Sequence, residues 1–312
     1  MGGSSYERDV YPSSSSSSWS SRSSSSFGES SYSKSRLSSS VLSKSMKPNG
    51  KILESKTKHP IIIVLDVTGS NINFARVVYD KLPMFYGQIE QKEYLKDFDI
   101  SICAVGDAYC DDYPLQIGSF AKGIEIDSWI EKLVLESGGG GGQKESYELA
   151  AYYLYKNTRF APGSDPIIFF IGDEMPYSTV DSYQAKEFGI ECEQKGIEPF
   201  ELLRQKVNDN VFMLLNKYCS RNFESHIISA WRKLLAPQHV IKIQEQKAIV
   251  DLMLGIISML SEARTLESYK IDMLDRGQTQ ARINGVSKSL EGLSNIICTS
   301  NEGKSTQRGT RL

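Results

Sequence analysis

Asp66, Thr68 and Ser70 stand at alternate positions in HPIIIVLDVTGSN, residues 59–71. One carboxylate and two hydroxyls at that spacing are all hard oxygen ligands, and alternate side chains in a turn can converge on one point. Two more carboxylates follow apolar runs: Asp107 in AVGDAY and Asp173 in FIGDEM. Carboxylates gathered at one place repel each other unless a cation lies among them. A hard, oxygen-seeking ion meets that need. Mg²⁺, with Mn²⁺ or Ca²⁺ as alternatives, would keep positions open for water or a partner's carboxylate. The competing reading is local: Asp66 forms an Asx-turn, and Ser70 or Asn71 caps the helix that follows. Asp107 has a lesser part, accepting a hydrogen bond from a hydroxyl ligand or a water. Asp111 and Asp112 are expected to face solvent.

The elements that must carry these groups follow from the apolar pattern. PIIIVL, FDISICAV (98–105), DPIIFFIGDE (165–174), NVFMLLN (210–216) and HVIKI (239–243) read as strands, several of them buried on both faces. YPLQIGSF (113–120) reads as a short hairpin partner. Helical spacing marks INFARVVYDKLPMFYGQIEQ, where Phe74, Val77, Val78, Leu82 and Phe85 share a face and Pro83 is expected to kink or split the helix. IDSWIEKLVLE (126–136) is expected to be helical with Asp127 as N-cap, and AIVDLMLGIISML to lie in a long amphipathic helix. Alternating strands and helices predict an α/β fold: a three-layer, doubly wound, mostly parallel sheet. Right-handed crossovers put the strands' carboxyl ends on one rim, where ligands of open sheets bind.

Residues 1–50 are about half serine, in runs such as SSSSSSWSSRSSSS. Such a segment buries too little apolar area to offset its chain entropy, so it is expected to be a disordered tail. The α/β domain is placed at 59–262, and 263–312 is expected to be a polar extension, partly helical and then disordered. The five glycines at 138–142 lack the pattern and lysine of a P-loop. They read as a flexible turn, with Gln143, Glu145 or Ser146 reaching the metal.

A net charge of −2 gives no global field for nucleic acid, and the three histidines (His59, His226, His239) form no metal motif. Five scattered cysteines without a CxxC pair fit a reducing compartment. The start of the chain shows no apolar signal segment, and the longest apolar run is too short to span a bilayer. A cytoplasmic protein with no membrane partner is expected.

DVTGS resembles the D-x-[ST]-x-S metal-ion-dependent adhesion motif of von Willebrand factor type A (VWA) domains. The resemblance implies ligand roles for Asp66, Thr68 and Ser70. IIFFIGDEMP resembles the later strand of that family, whose terminal Asp, here Asp173, completes the site. The glycine-rich stretch sits where the family has its threonine-bearing loop, but the threonine is missing. The likeness covers roughly 59–262 and favours an intracellular bacterial or phage branch. It implies a non-enzymatic interaction module: Mg²⁺ in the rim, completed by a protein partner's Asp or Glu, within an assembly or beside an AAA+ ATPase. Two alternatives stay open. One is a Mg²⁺-dependent phosphatase or phosphotransferase of the haloacid dehalogenase type using Asp66, although Thr68 stands where such enzymes carry a second Asp as general acid. The other keeps the fold as a structural component with a vestigial site.

Overall fold

Apolar runs without polar alternation are buried on both faces, and the centre of the molecule is built from them. The computed structural model describes residues 41–136, 144–192, 198–218 and 221–308. The Ser-rich stretch 1–40, the glycine run with Gln143, Cys219 and residues 309–312 lie outside the described residues. The strands are β1 (Leu53–Ser55), β2 (His59–Asp66), β3 (Phe98–Val105), β4 (Leu115–Ile117), β5 (Lys144–Glu145), β6 (Thr158–Phe160), β7 (Ile167–Gly172), β8 (Met175–Pro176), β9 (Val211–Leu215) and β10 (Val240–Lys242). The helices are α1 (Ile72–Gln91), α2 (Glu125–Ile130), α3 (Tyr147–Asn157), α4 (Ser182–Glu187), α5 (Pro199–Lys206), α6 (Arg221–Leu234), α7 (Ile249–Leu260), α8 (Leu266–Asp275) and α9 (Gln280–Arg308).

Six strands form the central sheet in the order β10-β9-β7-β2-β3-β4. All neighbours are parallel except β4, which runs antiparallel to β3. The fold is therefore mixed α/β with a mostly parallel sheet. Successive residues of β2 feed different clusters. Ile61, Ile63 and Leu65 join residues of α1, α7, α8 and α9, whereas Ile62 and Val64 join residues of α3, α5 and α6. After β2 the chain adds β3 on one side and later β7 on the other, so the carboxyl ends of β2 and β7 part at a topological switch point.

Three helices differ from expectation. Helix α1 runs on through Pro83, so the proline does not split it. Helix α2 is shorter than 126–136, with Ile124 at its N-cap and Asp127 inside the first turn. Helix α7 is not amphipathic in use: every residue from Ile249 to Met259 is buried, because α8 and α9 cover the face turned away from the sheet. Gly255 allows that approach, since a Cβ there would meet Leu290 Cδ1 at 2.5 Å and Tyr269 Cε1 at 2.8 Å.

The outer boundaries also move. Leu42 and Met46 are buried in the core, so the folded part starts before residue 50. The polar extension also carries the long helix α9, whose Ile283, Val286, Leu290 and Leu293 recur at spacings of three and four and are all buried. Helix α8 is pinned through Asp272, which accepts hydrogen bonds from Arg264 Nε at 2.6 Å and Tyr94 Oη at 3.0 Å. Leu290→Ala is accordingly expected to cost about 3 kcal/mol of stability, as for a fully buried leucine. Urea unfolding checks this; a change within about 0.5 kcal/mol, typical of a surface site, would return α9 to a dispensable tail.

No helix among the described residues is long and apolar enough to cross a membrane.

Candidate functional site

Asp66 ends β2 with no solvent exposure. Its Oδ1 accepts the Thr68 backbone N–H at 2.9 Å and the Thr68 hydroxyl at 2.6 Å, the closed form of an Asx-turn. Its Oδ2 accepts the Tyr147 hydroxyl at 2.6 Å. The turn then carries Ser70 outward to the surface. Thr68 Oγ1 lies 3.5 Å from Ser70 Oγ, and Ser70 Oγ lies 3.4 Å from Asp173 Oδ1. Four of the five expected ligands, Asp66, Thr68, Ser70 and Asp173, thus stand in series across the gap between β2 and β7. The last two separations exceed a normal hydroxyl hydrogen bond of about 2.8 Å. They approach the spacing of neighbouring oxygens around a hard cation, about 3.0 Å for Mg²⁺ and about 3.4 Å for Ca²⁺ from their usual bond lengths.

Asn71 neither caps α1 through its side chain nor faces solvent. Its amide donates to the Asp66 carbonyl at 3.0 Å and accepts from Asn216 at 3.1 Å, and Asn216 accepts from Gln246 at 3.2 Å. This chain of amides laces the ends of β2 and β9 together. Between them, β7 reaches the rim through Gly172, whose carbonyl accepts the Asn216 N–H at 2.7 Å.

The fifth residue, Asp107, points elsewhere. Both of its oxygens accept from Tyr177 Oη at 3.1 Å, and it also takes the Tyr109 N–H at 3.1 Å and the Cys110 thiol at 3.4 Å. No hydrogen bond joins it to Thr68 or Ser70. Asp111 is not the solvent-facing residue expected: its Oδ2 takes the Asp107 N–H at 2.7 Å and its Oδ1 is buried without a partner. Ser146 is likewise engaged away from the hydroxyl pair, accepting the Ala108 N–H at 2.9 Å.

Glu145 and Glu174 complete the rim. The β5–β8 pairing sets Glu145 beside Pro176, just after Asp173 and Glu174. Both carboxyls are buried, and Oε2 of each has no hydrogen-bond partner. Burial raises Asp66, against the pull of its Thr68 and Tyr147 hydrogen bonds. Burial, Asp66 and Glu174 raise Asp173. Glu174 is pushed up to about 7 by burial and Asp66. Glu145 is pushed to about 10 by burial and then by Asp66, Glu174, Asp107 and Asp111. The charges acting most strongly on these four groups are all carboxylates. The neighbouring Lys144 instead places its Nζ 5.6 Å over the Tyr177 ring.

Sequence reasoning missed Tyr147 and Glu174 as members of the site. Tyr147 is fully buried and braced edge-on by Trp231, with ring centroids 5.2 Å apart. Trp231 in turn donates its indole N–H to the Glu174 carbonyl at 2.8 Å. Gly172 leaves room for this arrangement, because a Cβ there would lie 1.9 Å from the Tyr147 hydroxyl.

The donor set fits a hard cation, with carboxylates and hydroxyls in series and orphaned carboxylate oxygens beside them. It does so only by mixing residue types. Among the described residues no group of three or more His, Cys, Asp or Glu side chains is arranged to hold a metal ion.

No family model matches the sequence, and no curated protein matches it. Among solved structures, the chain is similar to the pilus adhesin SpaC from Lactobacillus rhamnosus GG in its open conformation, at 11% identity and a TM-score of 0.47, covering 69% of this chain and 31% of the adhesin. It is also similar to proximal thread matrix protein 1 from the mussel byssus, at 12% identity and a TM-score of 0.41, covering 67% of this chain and 49% of that one. The chain therefore spans about a third of the adhesin's length and about half of the thread protein's.

Proposed function

We propose that the β2–β7 rim binds a divalent cation, with Mg²⁺ first and Mn²⁺ or Ca²⁺ as alternatives. Asp66, Thr68, Ser70 and Asp173 would hold it, and the chain would act as a protein-interaction module whose partner supplies an Asp or Glu. The VWA assignment, with its three-layer doubly wound arrangement, belongs to this proposal, as does a place in an intracellular assembly or beside an ATPase. The observation that carries it is the run of oxygens from Asp66 to Asp173, set among buried carboxylates that no lysine or arginine of the described residues pairs. Bound there, a cation would neutralise that charge and offer open positions to an incoming carboxylate. Ser70, at the exposed end of the run, would be the residue nearest a partner. The phosphotransferase alternative has less support. A nucleophilic Asp needs access, whereas Asp66 is buried and both of its oxygens already accept hydrogen bonds.

Calorimetric titration of Mg²⁺, Mn²⁺ and Ca²⁺ into the chelated protein tests the site. The wild type is expected to bind one ion, and Asp173→Ala to bind it at least about tenfold more weakly while melting cooperatively. Saturation-free heats for all three ions at millimolar concentration would overturn the metal reading. A pull-down profile unchanged by EDTA would leave the metal and remove the partner.

A further inference from the structure

Trp231 of α6 is the largest side chain among the described residues to be fully buried. An indole has one polar group, its N–H, and a buried indole must find that group an acceptor. Here the acceptor is the main-chain carbonyl of Glu174 at 2.8 Å, one residue beyond Asp173. The ring stands edge-on to Tyr147, with centroids 5.2 Å apart and planes at 75°. Tyr147 in turn donates its hydroxyl to Asp66 Oδ2 at 2.6 Å. One side chain therefore braces the supports of both rim carboxylates: the main chain that carries Asp173 and the phenol that fixes Asp66. Two more rings hold the indole itself. Phe200 of α5 meets it edge-on at 5.2 Å, and Phe170 of β7 lies 6.2 Å away.

The rim needs such bracing. Pairing of β2 with β7 ends at Leu65 and Ile171, so Asp66 and Asp173 project beyond the ladder. The amides of Asn71 and Asn216 reach β7 only at Gly172. Ser70 Oγ stands 3.4 Å from Asp173 Oδ1, longer than a normal hydroxyl hydrogen bond, so the two ends of the oxygen run are not locked to each other directly.

We infer, resting on the cation reading of the rim, that Trp231 is a positioning residue for the ion: from α6 it sets the distance between Asp66 and Asp173. Ligands gain from an ion only when they are held close to the productive geometry, and hydrogen-bonding partners behind the ligands typically carry about 10- to 100-fold of metal affinity. Trp231 acts through the Glu174 carbonyl and the Tyr147 ring, and touches no ion itself. Linkage makes the effect mutual: an ion that draws the rim together also fixes the indole. Helix α6 thereby becomes the element from which affinity at the rim is controlled.

The test compares Trp231→Phe with Phe200→Leu in the full chain, using Mg²⁺ as the probe. Trp231→Phe keeps a ring and removes the N–H, whereas Phe200→Leu loosens the rings around the indole and leaves the N–H in place. Trp231→Phe is expected to bind Mg²⁺ about tenfold or more weakly than the wild type, and Phe200→Leu within about threefold, while both melt lower. A second readout needs no change at Trp231. Of the three tryptophans, Trp19→Phe/Trp129→Phe leaves Trp231 alone, so a single indole N–H resonance remains. That resonance is expected to shift as Mg²⁺ is added, with the midpoint found by calorimetry, and it decides the matter if Trp231→Phe does not fold. Wild-type affinity in folded Trp231→Phe, an equal loss in both variants, or an indole resonance unmoved in ion-saturated protein overturns the inference and leaves the cation site standing. A wild type that binds no Mg²⁺ overturns both.

Discussion

Stripped of metal by EDTA, the protein is expected to lose stability as pH rises from 5 to 9. That is the reverse of ordinary acid denaturation, in which paired carboxylates gain protons as pH falls. Here the carboxyls are raised, not depressed. Burial and Asp66 lift Glu174 from 4.5 to about 7, and burial lifts Glu148 from 4.5 to about 8. Each holds its proton more tightly in the folded chain than in the unfolded one. The resulting stabilisation is complete below the unfolded value near 4.5 and fades as pH climbs through about 7 and then about 8. Asp173 is raised for the same reasons and loses its contribution in the same direction. At about 1.4 kcal/mol per pK unit, the Glu174 and Glu148 shifts set a loss of at most about 6 kcal/mol between pH 5 and 9, or a fall of up to roughly 12–24 °C in Tm for a domain of this size. Saturating Mg²⁺ or Ca²⁺ replaces the missing protons with a cation. At a free-ion concentration about a hundred times Kd it returns about 2.7 kcal/mol at pH 8, and little at pH 5 where protons compete. Thermal melts across pH, with chelator and with each ion, make the measurement. A chelated protein whose Tm is flat or rises between pH 6 and 9, and which no divalent ion shifts, would show that the rim is satisfied as it stands.

The strands that deliver the rim were legible because burial on both faces leaves no polar alternation to dilute the signal. PIIIVL and IIFFIG are that kind of sequence, and their terminal acids follow from where the apolar run stops. Proximity of Asp66 and Asp173 follows in turn from β2 pairing directly with β7. What surrounds that pair was not legible, because it depends on how helices cross the sheet. Tyr147 opens α3 in YELAAYYLYK, among other tyrosines at positions 152, 153 and 155, and nothing in the spacing distinguishes the one that reaches Asp66. Glu145 and Glu174 meet because two-residue strands pair across loops, a contact with no periodicity to read. Asp107 misled for a related reason. It follows β3 as expected, but the loop turns its carboxylate to Tyr177, a residue far along the chain. Helix α9 failed differently. A stripe of single apolar residues every three or four positions is narrow, and the glycines and serines between them lower the mean hydropathy until the segment resembles a linker.

Gly172→Ala is expected to be among the most damaging glycine-to-alanine changes in the described residues, and a double-mutant cycle with Tyr147→Phe tests why. The added Cβ would stand 1.9 Å from the Tyr147 hydroxyl, 2.8 Å from Asp66 Oδ2 and 2.9 Å from Asp66 Cβ. Strand β7 cannot retreat, because β2 and β9 pair with it on either side. The tyrosine must leave instead. Asp66, fully buried, then loses the Tyr147 hydroxyl donor to its Oδ2, and Trp231 loses one of the rings it packs against edge-on. Overpacking together with a lost charge-assisted hydrogen bond is expected to cost at least about 3 kcal/mol, with a matching loss of metal affinity. Tyr147→Phe alone removes the donor but keeps the ring, and should cost about 1.5–3 kcal/mol. In the double variant the oxygen that the new methyl strikes first is gone, and the donor is lost only once. The two costs should therefore fall short of their sum by about 1 kcal/mol or more. The double variant should still melt below the wild type, since the contact with Asp66 Cβ remains. Costs that add within about 0.5 kcal/mol would mean that the glycine serves the strand and not the hydroxyl. Asp66 would then hold its place in the rim through Thr68 and Asn71 without help from α3.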